Sequence, residues 1–414
     1  MNILFFIDDL NSSSGVNYDI NIAKKNIEKY TSHKVFIVSH NDQYDEFNTD
    51  TLMLGNINIA KKYLNFKRFV DSKNINIAHV RGVGLGSVNH LLSFLLCYLL
   101  KVKLTVTTFS QINYFALNNK IFFENPDIKL MKNEGNSKGF KLSFFNFLSS
   151  KFTPIFKKVY FLLISKYFLK RVSSLIFFSQ YEMNQVSRLL NLDNTKYQVI
   201  PEPILDTQKF NMIKSKLSTK ESFYINYWGH NNFINIIYWG RIDYKIKGLD
   251  KIILVFSRLV ELYPKTNIRI HFMGPDYNNG LNELKSAIIN FNLDRFLIIH
   301  SQQAWKGNFK PFLDSDFSIL ATRVDGFPRS LRESILFEVP IICSVESNFS
   351  DIISNYNCGY SFKSDLELFE IFKKIENKEY SKPSLQQNCS IAIRECLNEK
   401  TITQKIVEFY ESQV

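Results

Sequence analysis

Arginine is scarce in this sequence of 414 residues: only 12 of its 51 basic side chains are Arg, and the rest are Lys. The chain is also rich in Asn, Ile, Phe and Tyr, so a scatter of surface Lys reads as AT-rich coding bias. Clustered Arg carries more information, because its planar fork recognises phosphate and carboxylate in a way Lys does not. Cysteine is sparse too. The five Cys (97, 343, 358, 389 and 396) form no C-x-x-C pair and no Cys/His cluster with metal-ligand spacing. That excludes a disulfide framework and a structural zinc site and predicts reduced thiols. Long apolar runs are missing as well. The longest, near Leu91 to Leu100, is half of the roughly 20 residues that span a bilayer. The opening MNILFFIDDLN has no basic region before its apolar residues, and Asp8 and Asp9 interrupt it, which excludes a signal peptide. A cytoplasmic protein without a transmembrane helix is expected.

One absence is local. Between Gly135 and Tyr181 there is no Asp or Glu, whereas eight Lys or Arg and ten Phe fall in the same window. The whole chain carries a net charge of +12, so two thirds of the excess sits here. Lys141, Phe144, Phe145, Lys151, Phe152, Lys157 and Lys158 interleave cations with aromatics. This pattern suits a segment, 138–171, lying on an anionic membrane surface, where each basic residue contributes about 1 kcal/mol. The same composition also fits core Phe with incidental Lys. Nucleic acid is excluded as a partner, because the segment is apolar and no nucleic-acid module accompanies it.

What is present is α/β alternation, repeated twice. Ile3–Ile7, Val35–Val38, Ile75–Val80, Leu104–Thr107, Leu175–Phe178 and Gln198–Ile200 read as strands, with amphipathic segments at Tyr18–Tyr30 and Val88–Leu100 between them. Pro201 and Pro203 stop the pattern. It resumes with the strand Asn235–Trp239 and a helix carrying Leu249, Ile252, Ile253, Phe256, Leu259 and Val260 at helical spacing. Strands at Ile268–Met273, Phe296–Ile299, Phe317–Ala321 and Ile341–Cys343 follow, with helices near Leu281–Phe291 and Arg329–Phe337. Such alternation predicts two parallel sheets. The expected domains are residues 1–205, a junction at 206–232, residues 233–390, and a C-terminal helix in 391–414 that crosses back to the first domain. In parallel sheets ligands bind at the carboxyl ends of strands, so chemistry is sought on strand-to-helix loops.

Two such loops stand out. Gly240-Arg241-Ile242-Asp243-Tyr244-Lys245-Ile246-Lys247-Gly248 delivers a helix N-terminus flanked by Arg241 and Lys247. Free backbone N–H groups and the helix dipole favour an anion there, and two cations suit a diphosphate. A solvated basic turn has the same spacing. The second loop is Arg323-Val324-Asp325-Gly326-Phe327-Pro328-Arg329-Ser330-Leu331-Arg332-Glu333, which holds three of the twelve Arg in ten residues. Its carboxylates Asp325 and Glu333 suit sugar hydroxyls, whose O–H groups they accept; an acid-capped helix start with surface Arg reads the same way. Asp314-Ser315-Asp316 mimics a metal-binding D-x-D but precedes a buried strand, as a structural Asp does. Gly82-Val83-Gly84-Leu85-Gly86 has its third glycine one residue too early for a dinucleotide fingerprint. Gly15 and Arg81 mark a weak acceptor-side or phosphate-side loop. His230, His271 and His300 read as ordinary polar positions.

The segment GRIDYKIKGLDKIILVF, followed about seventy residues later by DSDFSILATRVDGFPRSLRESILFEVPII, resembles the donor domain of glycosyltransferase family 4. Lys170-Arg171-Val172-Ser173-Ser174-Leu175-Ile176-Phe177-Phe178-Ser179 and VIPEPILD extend the resemblance into the first half. It implies a GT-B fold, two facing Rossmann-like parallel-sheet domains with an interdomain cleft. It implies a retaining transferase, with a nucleotide-diphosphate sugar as donor and an oligosaccharide or lipid-linked acceptor. Bacterial surface polysaccharide biosynthesis at the inner face of the cytoplasmic membrane is the setting it suggests, with no cofactor and no metal requirement. By resemblance Arg241 and Lys247 hold the donor diphosphate, Asp325 meets the donor sugar and Glu333 the ribose hydroxyls. Gly326, Phe327, Pro328 and Arg329 complete the donor loop, with Gly326 and Phe327 offering backbone N–H groups. Two positions depart from the family: Asp325 is one methylene shorter than the usual Glu, and Phe109, followed by Ser110, stands where a His often reaches the donor. A nucleotide-sugar epimerase and a non-catalytic scaffold on the same fold are the alternatives.

Overall fold

The computed structural model describes residues 1–7, 15–40, 50–55, 57–81, 88–107, 167, 169, 171–191, 197–202, 210–215, 233–300 and 309–414. The chain divides into two compact units: Met1–Pro203 with Glu399–Val414, and Ile204–Asn398. The basic, Phe-rich residues from Lys141 to Lys158, together with Phe109 and Ser110, lie outside the described residues.

In the first unit the described strands form one parallel sheet of seven. They are β1 (Asn2–Ile7), β2 (Lys34–Ser39), β3 (Thr51–Met53), β4 (Ile77–Arg81), β5 (Lys103–Thr107), β6 (Ser174–Phe177) and β7 (Tyr197–Val199). Their order across the sheet is β3-β2-β1-β4-β5-β6-β7. β1 lies near the middle and is apolar at every position from Ile3 to Ile7, as a strand covered on both faces must be. Its side chains alternate between two cores. Leu4 and Phe6 pack with Phe66 of α2 (Ile59–Lys73) and Phe94 of α3 (Val88–Leu99). Ile3, Phe5 and Ile7 pack with Ile20 and Ile27 of α1 (Gly15–Tyr30). That second core also takes Ile402, Val407 and Tyr410 from the last helix, Glu399–Glu411. A 13-residue helix from the end of the chain thus completes the core of the first strand. A further described helix of this unit, α4 (Gln180–Leu190), is capped by Ser179, which accepts from the Glu182 N–H at 3.0 Å.

The second unit repeats the plan with β8 (Ile234–Trp239), β9 (Ile268–Met273), β10 (Leu297–Ile299), β11 (Phe317–Leu320), β12 (Ile341–Ser344) and β13 (Gly359–Phe362). The order is β10-β9-β8-β11-β12-β13, and every pairing is parallel. The order reverses direction at β8, between β9 and β11, which makes this the switch point where such sheets take ligands. Helix α5 (Leu249–Leu262) follows β8, and α6 (Gly280–Asn290) follows β9. Further described helices of the unit include α7 (Lys310–Leu313), α8 (Arg329–Leu336), α9 (Ser350–Tyr356), α10 (Asp365–Glu376) and α11 (Lys382–Glu395); the terminal helix of the chain is α12. All six residues of β8 are buried.

The sequence pattern missed the edge strands β3 and β13 and the helices α2, α4, α7, α9 and α10. A three-residue strand, or one reading Gly-Tyr-Ser-Phe, offers too few positions for alternation to register. Helix C-termini are supplied by the abundant Asn. Asn74, Asn191 and Asn357 each adopt the left-handed conformation at a helix C-cap, which Asn tolerates better than any other residue with a side chain except Asp.

Candidate donor site

The site predicted from sequence collects at the carboxyl ends of β8 and β11, neighbours in the second sheet. Gly248 brings their loops together. It has φ +66°, and a Cβ on it would lie 1.9 Å from the Ala321 carbonyl oxygen, so only glycine fits both the left-handed backbone and the approach. Around that contact the Arg323 N–H donates to the Ile246 carbonyl at 2.9 Å. Thr322 Oγ1 donates to the same carbonyl at 3.2 Å.

Arg323, a candidate from the Arg cluster, spends its guanidinium on this junction. Its two terminal nitrogens donate to Asp250 Oδ1 at 2.6 Å and Oδ2 at 2.9 Å. One also donates to the Lys245 carbonyl at 2.5 Å. The bidentate pair fixes the first turn of α5 to the loop after β11. Arg332, last of the cluster, is buried.

Lys247 and Asp325, 78 positions apart, form an ion pair through Nζ and Oδ2 with both side chains largely buried. The other carboxylate oxygen of Asp325 accepts from the Gly326 N–H at 3.0 Å. The Phe327 ring stacks on Phe349 with centroids 4.2 Å apart. Pro328 occupies the N-cap of α8, where its missing N–H costs nothing. Arg241 has its guanidinium over the Tyr277 ring, 3.8 Å from the centroid, and 3.6 Å from Asp243 Oδ2. Its backbone carbonyl accepts from the Tyr238 hydroxyl at 2.5 Å.

Glu333 is buried in α8, and both of its oxygens have donors. Trp239 Nε1 donates to Oε2 at 2.8 Å, and Arg329 Nε donates to Oε1 at 3.1 Å. Burial pushes its carboxyl above the ordinary range. The Arg329 charge, the Trp239 hydrogen bond and the Arg329 hydrogen bond, with a further contribution from Arg332, oppose that rise without cancelling it. Each carboxylate oxygen keeps a further lone pair with which to accept a hydrogen bond.

Residues 228–395 match the family of glycosyl transferases group 1. Every residue of the candidate site named above lies within that match. Solved structures resemble the whole chain in fold. HepE from Anabaena, in complex with UDP and glucose, has a TM-score of 0.62 at 13% identity over 100% of each chain. A glycosyltransferase from Rickettsia africae has a TM-score of 0.64 at 16% identity, over 100% of this chain and 98% of that one. The lipopolysaccharide outer core galactosyltransferase WaaB, in its apo form, has a TM-score of 0.62 at 12% identity over 100% of each chain. No curated protein matches the chain by sequence. The two parallel-sheet units are those of the GT-B fold.

Several contributors to the candidate site carried no signal in the sequence. Trp239, Tyr277 and Asn348 each contact a predicted site residue or its loop, yet none belongs to a recognisable motif, and Asp250 lies in the segment GRIDYKIKGLDKIILVF without standing out there; for Trp239 the one hint is its place immediately before Gly240. Asp316 of the D-x-D look-alike is structural. It accepts from the Asn235 N–H at 2.8 Å and pairs with Lys382 at 2.6 Å. Among the described residues no group of three or more His, Cys, Asp or Glu is placed to hold a metal ion. His271 and His300 contact each other at 3.1 Å, and His271 Nε2 lies 3.1 Å from Asn235 Oδ1. In the first unit Gly15 begins α1 and Arg81 ends β4. No described helix is long and apolar enough to cross a membrane.

Proposed function

We propose that the chain is a retaining hexosyltransferase that moves a sugar from a nucleotide diphosphate to a glycan or lipid-linked glycan acceptor in bacterial surface polysaccharide assembly. The observation that carries this reading is the meeting of Lys247 and Asp325 at the switch point of the second sheet, within the match to glycosyl transferases group 1. The UDP and glucose of the Anabaena structure and the galactosyl transfer named for WaaB support a nucleotide-sugar donor and a surface-glycan acceptor.

In this scheme Arg241 and Lys247 take the donor diphosphate. Lys247 gives one of its three N–H donors to Asp325 and turns the others to phosphate oxygen. Asp325 accepts from a donor-sugar hydroxyl, and Glu333 accepts from the ribose hydroxyls. The bond from the anomeric carbon to the phosphate oxygen breaks with its electron pair leaving on the diphosphate. The acceptor oxygen bonds the same face of that carbon, and its proton passes to the departing phosphate. Cations fixed before the reaction stabilise the charge that develops on the leaving group, and no protein nucleophile or cofactor enters. The segment 138–171, with its Lys and Phe, holds the enzyme on an anionic bilayer where a lipid-linked acceptor resides.

The test is a thermal-shift screen against UDP-, GDP-, ADP- and CMP-sugars, followed by nucleotide release with each ligand that binds. One donor class should raise the melting temperature and be turned over. Binding without turnover for every donor would support a non-catalytic scaffold instead.

A further inference from the structure

Asn348 lies outside every motif, between β12 and α9, and it is 1% exposed. Its backbone is left-handed, with φ +63°. From there its side-chain amide Nδ2 donates to two successive carbonyls of the donor loop, Asp325 at 3.2 Å and Gly326 at 2.6 Å. In a trans peptide the carbonyl and the following N–H point in opposite directions. Holding the Asp325 and Gly326 carbonyls therefore aims the N–H groups of Gly326 and Phe327 away from Asn348. The Gly326 N–H then meets Asp325 Oδ1 at 3.0 Å, and that carboxylate is the partner of Lys247.

We infer that Asn348 is a positioning residue for donor binding: its amide sets the peptide planes of Asp325–Gly326–Phe327 and, through them, the direction of the Asp325 carboxylate. Both features are needed at once. The left-handed backbone favours Gly, Asn or Asp, and of these only Asn brings two N–H donors. Glycine would keep the backbone and release the loop, and Asp would turn an oxygen toward two carbonyl oxygens. The inference rests on the proposed reading of this site as a nucleotide-sugar site, and it adds a residue that touches no part of the donor.

The experiment compares the full-length wild-type chain with Asn348→Gly and Asn348→Asp. Melting temperature is measured, and UMP, UDP and UDP-glucose are titrated by calorimetry, with the GMP, AMP and CMP series run alongside. UMP reports on the nucleoside side of the site, where Glu333 acts, whereas the sugar diphosphate also needs the 325–327 loop. For the base that binds, Asn348→Gly should weaken the sugar diphosphate tenfold or more and leave the monophosphate within twofold. Asn348→Asp should do the same at neutral pH and regain affinity on acidification, because a protonated carboxyl donates again. That pH response, absent in the wild type, serves as the readout if the glycine variant fails to fold. Equal loss of monophosphate and sugar diphosphate, or no loss of either, would overturn the inference while wild-type binding upheld the donor site. Failure of the wild type to bind any of the nucleotides would overturn the proposed function and this inference with it.

Discussion

The indole N–H of Trp239 donates to Glu333 Oε2 at 2.8 Å, joining the last residue of β8 to the middle of α8 across 94 positions of chain. The bond stabilises the ionised form of a carboxyl that burial otherwise pushes toward its protonated form. Trp239→Phe keeps most of the packing against Phe309 and Phe312 and removes the donor. The Glu333 pKa then rises further. Where the ionised carboxylate accepts ribose hydroxyls, nucleotide affinity in Trp239→Phe should fall on acidification at a higher pH than in the wild type. Calorimetric titration of the binding nucleotide between pH 5 and pH 8 checks this; superimposable profiles would exclude the coupling.

Arg323→Lys keeps the charge and loses the fork that grips Asp250. The expected loss of stability is about 1–3 kcal/mol, the range for a charge-assisted hydrogen bond. Chemical denaturation of Arg323→Lys, Asp250→Asn and the double variant should show non-additive losses, since the two side chains share one interaction. Additive losses would mean that the pair does not hold α5 to the loop after β11.

Gly248→Ala places a methyl group where the Ala321 carbonyl already stands, 1.9 Å away, on a backbone with φ +66°. The neighbour is backbone and cannot rotate aside, so a loss of about 3 kcal/mol or more is expected. The variant should melt well below the wild type or fail to accumulate as folded protein. A melting temperature within 2 °C of the wild type, roughly the shift of 1 kcal/mol or less in a chain of this size, would contradict the close approach.

His271 is driven to a pKa of about 3, first by burial, then by His300 and by Arg269; burial also lowers His300. The sign follows from proton uptake. Below the ordinary pKa of 6.5 the unfolded chain binds protons that the native state refuses, so stability falls as pH drops from 6.5 toward 3. By pH 5 the loss from His271 alone is on the order of 2 kcal/mol. His271→Gln should show a shallower decline in melting temperature between pH 7 and pH 5 than the wild type. Equal slopes would show that the pair does not set acid stability.

The two parallel sheets were legible because buried parallel strands are apolar at nearly every position, and β1 and β8 are runs of that kind. The residues of the candidate site stood out because Arg241, Lys247, Asp325 and Glu333 fall at a spacing that resembles a known family. Trp239, Asn348 and Asp250 gave no such signal. Their roles arise from partners 94, 22 or 23, and 73 positions away, and a contact across a sheet or between two loops leaves no local periodicity. Asp316 shows the converse, a motif-like pair that the tertiary structure commits to a backbone N–H and Lys382.

By itself the sequence determined the alternating α/β plan, the scarcity of Arg that makes its clusters meaningful, and the acid-free basic stretch from Gly135 to Tyr181. Those properties depend on side-chain type and near-neighbour spacing, which a linear chain records. The tertiary structure decided that Lys247 meets Asp325, that Glu333 keeps two donors while buried, and that Arg323 is committed to Asp250 and the loop junction. It also decided which residues of the last helix, expected to cross back to the first domain, complete the core of the first strand: Ile402, Val407 and Tyr410. Each of these requires distant segments to be brought within hydrogen-bonding or packing distance, and that is settled only when the two sheets close over their cores.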